Sequence, residues 1–279
     1  MNYGHLIEKY RRDFHSKAYP DRLKRVPYVN RFFQRELHDI YTSPSFRGKS
    51  LLDVGCGPTV HNVFSATTRI QNVVLSDLCA GNRREVENWI QKTPDAIDWS
   101  FVSEALAAVE GHADLQSGAK EIEERTRRAI KKTIPCNILD PNVLSKDHRE
   151  TFDVVFSSLC LESASLDEQT YQKNTQNIGN LVAPGGYLIL CGIAGALEYS
   201  VGGIKFPSLY LTSTMVTNSL LNAGFEVKRW SSLDKDTTFE DPERWDYVFV
   251  VVAQKPLSPF IIHFSPTKFG AWCNELLNP

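Results

Sequence analysis

Short apolar runs, each closed by turn residues, alternate along the chain with stretches of helical spacing. SLLDVG (50–55) has a buried-strand pattern, and NVVLSD repeats it at 72–77. TIPCNIL (133–139), FDVVFSSLC (152–160) and YLILCGI (187–193), the last preceded by APGG, give three more strands. Between them REVENWIQ (84–91) and KEIEERTRRAIKK (120–132) read as helices, the second with Glu placed four residues before Arg. Strand alternating with helix at this rhythm predicts an α/β fold with a doubly wound, mostly parallel sheet. The end of the chain differs. AGFEVKRW (223–230) and DYVFVVVAQK (246–255) are joined by a polar, irregular stretch, which suits an antiparallel pair at the sheet edge. Upstream, an aromatic and basic segment over residues 5–46 leads through SPSFRGKS into the first strand.

Composition narrows the partner. The chain has 279 residues, 42% of them hydrophobic, enough for one large core. With 31 basic and 33 acidic side chains and a formal charge of −2, it carries no electrostatic footprint for nucleic acid or an anionic membrane. No apolar run approaches the ~20 residues of a membrane span, and the N-terminus lacks a signal-like apolar stretch. A cytoplasmic protein acting as a monomer on a small molecule is the expectation. Six scattered cysteines without a C-x-x-C pair are expected to be reduced thiols, with no metal site.

The turn after the first strand carries the chemistry. In LLDVGCGPTV, Gly55 and Gly57 lack a Cβ, so backbone can approach a ligand at the carboxyl end of the strand. A dinucleotide fingerprint needs a third glycine at position 60, where Val60 stands, so an NAD-dependent dehydrogenase is disfavoured. Asp77 ends the second strand 22 residues after Gly55, near the separation at which an acidic side chain receives ribose hydroxyls.

D-x-G-x-G-P resembles the first motif of class I S-adenosylmethionine-dependent methyltransferases. LLDVGCGPT, the segment LSDLCAGNRREVENWIQKTPDAIDWS, the pair SSLCLES and NLVAPGGYLIL, and IKFPSL together resemble the nicotinamide, phenylethanolamine and indolethylamine N-methyltransferases from about residue 10 to 255. The resemblance implies a Rossmann-like seven-stranded core at 47–255, an N-terminal helical lid at 1–46, and a tail from 256 to 279 without an assigned role. It implies S-adenosyl-L-methionine as cofactor, with Tyr10, Phe14 and Tyr19 in the lid and Gly55, Cys56 and Gly57 at the cofactor turn. His61 stands where a tyrosine often reaches the methionine carboxylate. Asp77 and Asn82 match the ribose contacts, and Leu78 packs on the adenine. Asn137 and Ile138 meet the adenine edge, with the Asn137 amide oxygen as acceptor, and Ser158 and Leu159 lie under the reacting sulfonium.

On the acceptor side, Gly192 and Ala196 replace an aspartate and a serine of the nicotinamide branch, and only Ser208 remains. Glu162 and Glu243 fall where the amine-methylating branch places acids. Two functions follow: methyl transfer to a small-molecule amine or pyridine-like nitrogen, with Glu162, Glu243 and Ser208 around the acceptor, or cofactor binding without turnover, as a methyl-donor sink, sensor or interaction module.

Overall fold

A computed structural model describes residues 2–257 apart from 149 and 240; the expected tail lies almost entirely outside the described residues. Helices α1 (Tyr3–Asp13), α2 (Tyr19–Arg25) and α3 (Pro27–Thr42) precede the sheet. Asn2 caps α1 by accepting from the His5 amide. Prolines start α2 and α3, where a missing amide hydrogen costs nothing. Then follow β1 (Ser50–Val54), β2 (Asn72–Asp77), α4 (Ala80–Gln91), α5 (Ser100–Val109), α6 (Leu115–Ala129), β3 (Ile130–Pro135) and β4 (Phe152–Ser158). The remainder is α7 (Glu168–Gly179), β5 (Val182–Ala194), β6 (Glu198–Val201), β7 (Ile204–Pro207), α8 (Ser213–Asn222), β8 (Glu226–Asp234) and β9 (Tyr247–Gln254).

Seven strands form one sheet in the order β3-β2-β1-β4-β5-β9-β8. The first five are parallel, and β9 runs antiparallel to both β5 and β8. Strand β9 needs no crossover helix because the segment after β8 only has to reverse direction. Alternate strand residues face two separate cores. Leu51, Leu75, Phe156 and Ile189 pack under α3 to α6, and Leu52, Val74, Val155 and Leu188 pack with α7 and α8. Helix α3 reaches its core through Val29, Phe33, Leu37 and Ile40, at three- and four-residue spacing.

The helix expected over 120–132 ends at Ala129, and Ile130, Lys131 and Lys132 belong to β3. Sheet pairing overrides the local charge pattern there: Ile130 pairs with Val73, and the lysines stay exposed on an edge strand, where charge blocks further pairing. The third strand accordingly stops at Pro135, and Asn137 and Ile138 lie beyond it in a loop.

Candidate active site

Strand order reverses between β1 and β4, and a sheet of this kind opens a crevice at the carboxyl ends of its strands at that point. Gly55 and Gly57 follow β1 with φ of 73° and 64°, in the left-handed region that side-chain-bearing residues avoid. The Gly55 and Cys56 amides donate to the Ser76 carbonyl at 2.8 and 2.9 Å, tying the turn to β2. A Cβ on Gly55 would lie 2.1 Å from Cys160 Sγ, so its absence serves the packing of the turn after β4. A Cβ on Gly57 would meet only Thr59, at 3.8 Å.

Asp77 organises this wall. Its Oδ2 accepts from the Gly57 amide at 2.8 Å, and Oδ1 accepts from the Cys79 amide at 2.7 Å and Asn82 Nδ2 at 3.0 Å. Asn82 Oδ1 accepts in turn from Ser16 Oγ at 2.7 Å, linking the N-terminal segment to the turn. Burial raises the Asp77 carboxyl, while these hydrogen bonds and Arg83 oppose the rise.

The resulting cavity encloses about 1070 Å³ including its mouth. One wall holds Gly55, Cys56, Gly57, Asp77, Leu78 and Asn82, continued by Asn137, Ile138, Ser158 and Leu159. Leu159 has φ of 52°, a strained turn that ends β4 and swings Cys160 and Glu162 toward the cavity. The facing wall carries Tyr10, Tyr19, Glu162 and Ser208.

The lining is aromatic where the N-terminal helices meet the β6–β7 hairpin. Tyr10 stacks on Phe206 at 4.9 Å and shares a 2.9 Å hydrogen bond with Tyr199, while Phe14 lies between Tyr19 and Phe206. The β6–β7 hairpin that supplies Tyr199 and Phe206 was not read as strands in the sequence. Nor was Arg22 singled out within a basic run, although it lines the same cavity. Lys24 and Arg25 share helix α2 with it, and only the face of the helix on which Arg22 falls brings it to the cavity.

Glu162 is buried, and its Oε1 accepts from the Ile193 amide at 3.1 Å. Burial pushes its carboxyl up to about 7, against that hydrogen bond and the nearby Arg22 charge. Ser208 Oγ is buried without a hydrogen-bond partner among the described residues.

Three expected roles meet a different geometry. His61 is not on the cavity wall: its ring packs on Trp99 at 4.6 Å, and burial holds it neutral by lowering its pKa to about 3. Glu243 also lies off this wall, where its Oε2 accepts from Arg22 Nε and Nη2 at 3.2 and 2.9 Å and its Oε1 from the Ser200 amide. Asn137 lines the cavity but turns its amide oxygen onto the Leu139 amide at 3.2 Å, an Asx turn that uses one of that oxygen's two lone pairs.

The NNMT/PNMT/TEMT family model matches residues 5–256. Human nicotinamide N-methyltransferase is 30% identical over 225 residues, covering 81% of this chain and 84% of that protein. Macaque phenylethanolamine N-methyltransferase is 28% identical over 70% of this chain and 68% of its own length. In fold, the chain resembles the 1,6-didemethyltoxoflavin-N1-methyltransferase of Burkholderia thailandensis, with a TM-score of 0.56 at 14% identity over 92% of this chain and 91% of that one.

Proposed function

The chain belongs to the NNMT/PNMT/TEMT family, and from that premise we propose that this S-adenosylmethionine-dependent N-methyltransferase acts on a small amine presented to Glu162. The residues present fit the cofactor. The Cβ direction at Gly57 meets only Thr59, at 3.8 Å, and Asp77 Oδ2 has one partner and spare lone-pair capacity for a hydroxyl. Leu78 and Ile138 offer apolar surface beside it. Asp77 and the glycine turn would hold the ribose and methionine portions there. Bound in this cavity, S-adenosylmethionine supplies an electrophilic methyl group.

Little else is asked of the protein than alignment and exclusion of water. In this reading the first two helices act as a lid, with Tyr10, Phe14 and Tyr19 shielding the cavity. The cavity thiols do not compete for the methyl: burial pushes Cys79 and Cys136 up to about 12 and Cys56 and Cys160 well above their usual value, so all four stay protonated.

The observation that carries the choice of an amine is the buried Glu162 carboxyl on the acceptor wall. An aliphatic amine must lose a proton before its lone pair can bond the methyl, and a carboxylate titrating near neutrality is suited to accept it. A pyridine nitrogen needs no such base. Position 192 supports the same choice. A Cβ there would lie 2.3 Å from the Phe249 ring, so the aspartate of the nicotinamide branch has no room in this packing. Ala196 lines the cavity but offers no polar atom.

Incubation with methyl-labelled cofactor and a panel of amines and pyridines tests the proposal. Labelled amine products are expected. Cofactor binding with product from pyridines alone, or from no acceptor, would overturn it, the latter favouring a binding protein without turnover.

A further inference from the structure

We propose that Arg22 is an anion anchor of the acceptor compartment, and that the methyl acceptor is an amine carrying a carboxylate-like group besides its reacting nitrogen. This inference rests on the amine reading above.

Among the described residues that line the cavity, Arg22 is the one cation. Its side chain is only 12% exposed, on the lid helix α2, and its guanidinium sits 5.2 Å from the centre of the Tyr199 ring. Two of its nitrogens, Nε and Nη2, are spent on a single oxygen of Glu243. The third, Nη1, has no hydrogen-bond partner among the described residues. Arg25 Nη2 lies 3.9 Å from the other Glu243 oxygen, so two arginines share that carboxylate. Glu243 thus orients the guanidinium without using up its donors.

A lid latch alone accounts for Nε and Nη2 but not for a third nitrogen left unpartnered on a cavity-lining side chain. A plain ammonium acceptor gives no reason for it either, since a like charge repels the protonated amine. The arrangement fits a ligand with both signs of charge. A carboxylate matches the planar Arg fork, and an amine matches Glu162 in the same cavity. Arg22 and Glu162 are close enough for the arginine to lower the Glu162 pKa. Ser208 Oγ adds a further unpartnered group for the anionic end.

The test uses the full chain and matched acceptors: phenethylamine against phenylalanine, and propylamine against γ-aminobutyrate. In at least one pair, the carboxylated amine is expected to show the higher kcat/KM. In Arg22→Gln its kcat/KM should fall about 10- to 100-fold further than that of its neutral counterpart, chiefly through KM, as for loss of a charged hydrogen bond. Arg22→Lys should restore part of the difference.

If Arg22→Gln does not fold, the wild-type preference and Arg22→Lys decide the matter. Neutral amines turned over with no preference for a carboxylate would overturn this inference and leave the amine reading standing. Equal losses for both members of each pair would overturn it as well. So would a matching loss of S-adenosylhomocysteine affinity by calorimetry, which would assign Arg22 to the cofactor's own carboxylate. No product from any amine would sink the amine reading and this inference with it.

Discussion

The two walls of the cavity are built in different ways. The wall proposed for the cofactor comes from the ends of parallel strands and their turns, and is held largely by main-chain groups: the Ser76 carbonyl receives two turn amides, and Asp77 receives the amides of Gly57 and Cys79. The lining proposed for the acceptor is assembled from side chains on α1, α2, the turn after β4, the end of β5 and the β6–β7 hairpin. One wall is fixed by local chain geometry that any member of the fold can reuse. The other changes with a few side chains, which is how a single fold can serve different acceptors.

The largest separation between the walls is expected from Glu162→Gln. It keeps size and hydrogen-bonding capacity but removes the base, so amine turnover should fall by about 10² to 10⁴. Cofactor affinity, measured by calorimetry, should stay within a few-fold. Wild-type activity toward amines should rise as pH passes through about 7, and Glu162→Gln should lose that limb. Stability has the opposite sign. The folded state keeps the Glu162 proton up to about 7 while the unfolded chain releases it near 4.5, so folding weakens as pH rises through that window. Glu162→Gln should flatten that slope in denaturant titrations. An unchanged pH profile would return Glu162 to a packing role.

Gly55→Ala strikes the cofactor wall through the protein itself. Overpacking against Cys160, added to left-handed strain, should cost roughly 2 to 4 kcal/mol by denaturant unfolding. Cys160→Gly should recover part of this in the double variant, and additive losses would show that the clash is not the cause. Gly57→Ala, with open space around its Cβ, should cost only the strain, about 1 to 2 kcal/mol.

Asp77→Ala should weaken cofactor binding by about 1.5 to 3 kcal/mol, with some loss of stability because the Gly57 and Cys79 amides lose their acceptor. An unchanged dissociation constant would reject its ribose role. The smallest effect is expected from Ser16→Ala, which cuts the link between lid and turn. It should cost about 1 kcal/mol of cofactor affinity, seen as faster release in stopped-flow displacement. An unaltered release rate would show that the lid closes independently of Asn82.

The strands and turns beneath the proposed cofactor site were legible in the sequence. β2 has the bounds the alternation predicted, Asp77 ends it, and the glycine turn follows β1. Apolar alternation, glycines that permit positive φ and an acid at a strand end are local requirements, so they leave local marks. The seam between α6 and β3 misled because its lysines extend the helical charge pattern, while pairing with β2 decides the outcome. His61 and Glu243 were placed by correspondence of position, and their partners lie 38 and 221 residues away, at Trp99 and Arg22.

The doubly wound sheet, the glycine turn after β1 and the family could all be read from the sequence alone. The fold brought the charges together: Glu243 pairs with Arg22, Glu162 is buried deeply enough for its carboxyl to rise to about 7, and Arg22 lines the same cavity. The reason is physical. A backbone turn is selected by the residues within it, whereas burial and charge pairing depend on which distant segments the fold brings together, and a one-dimensional pattern carries no record of that distance.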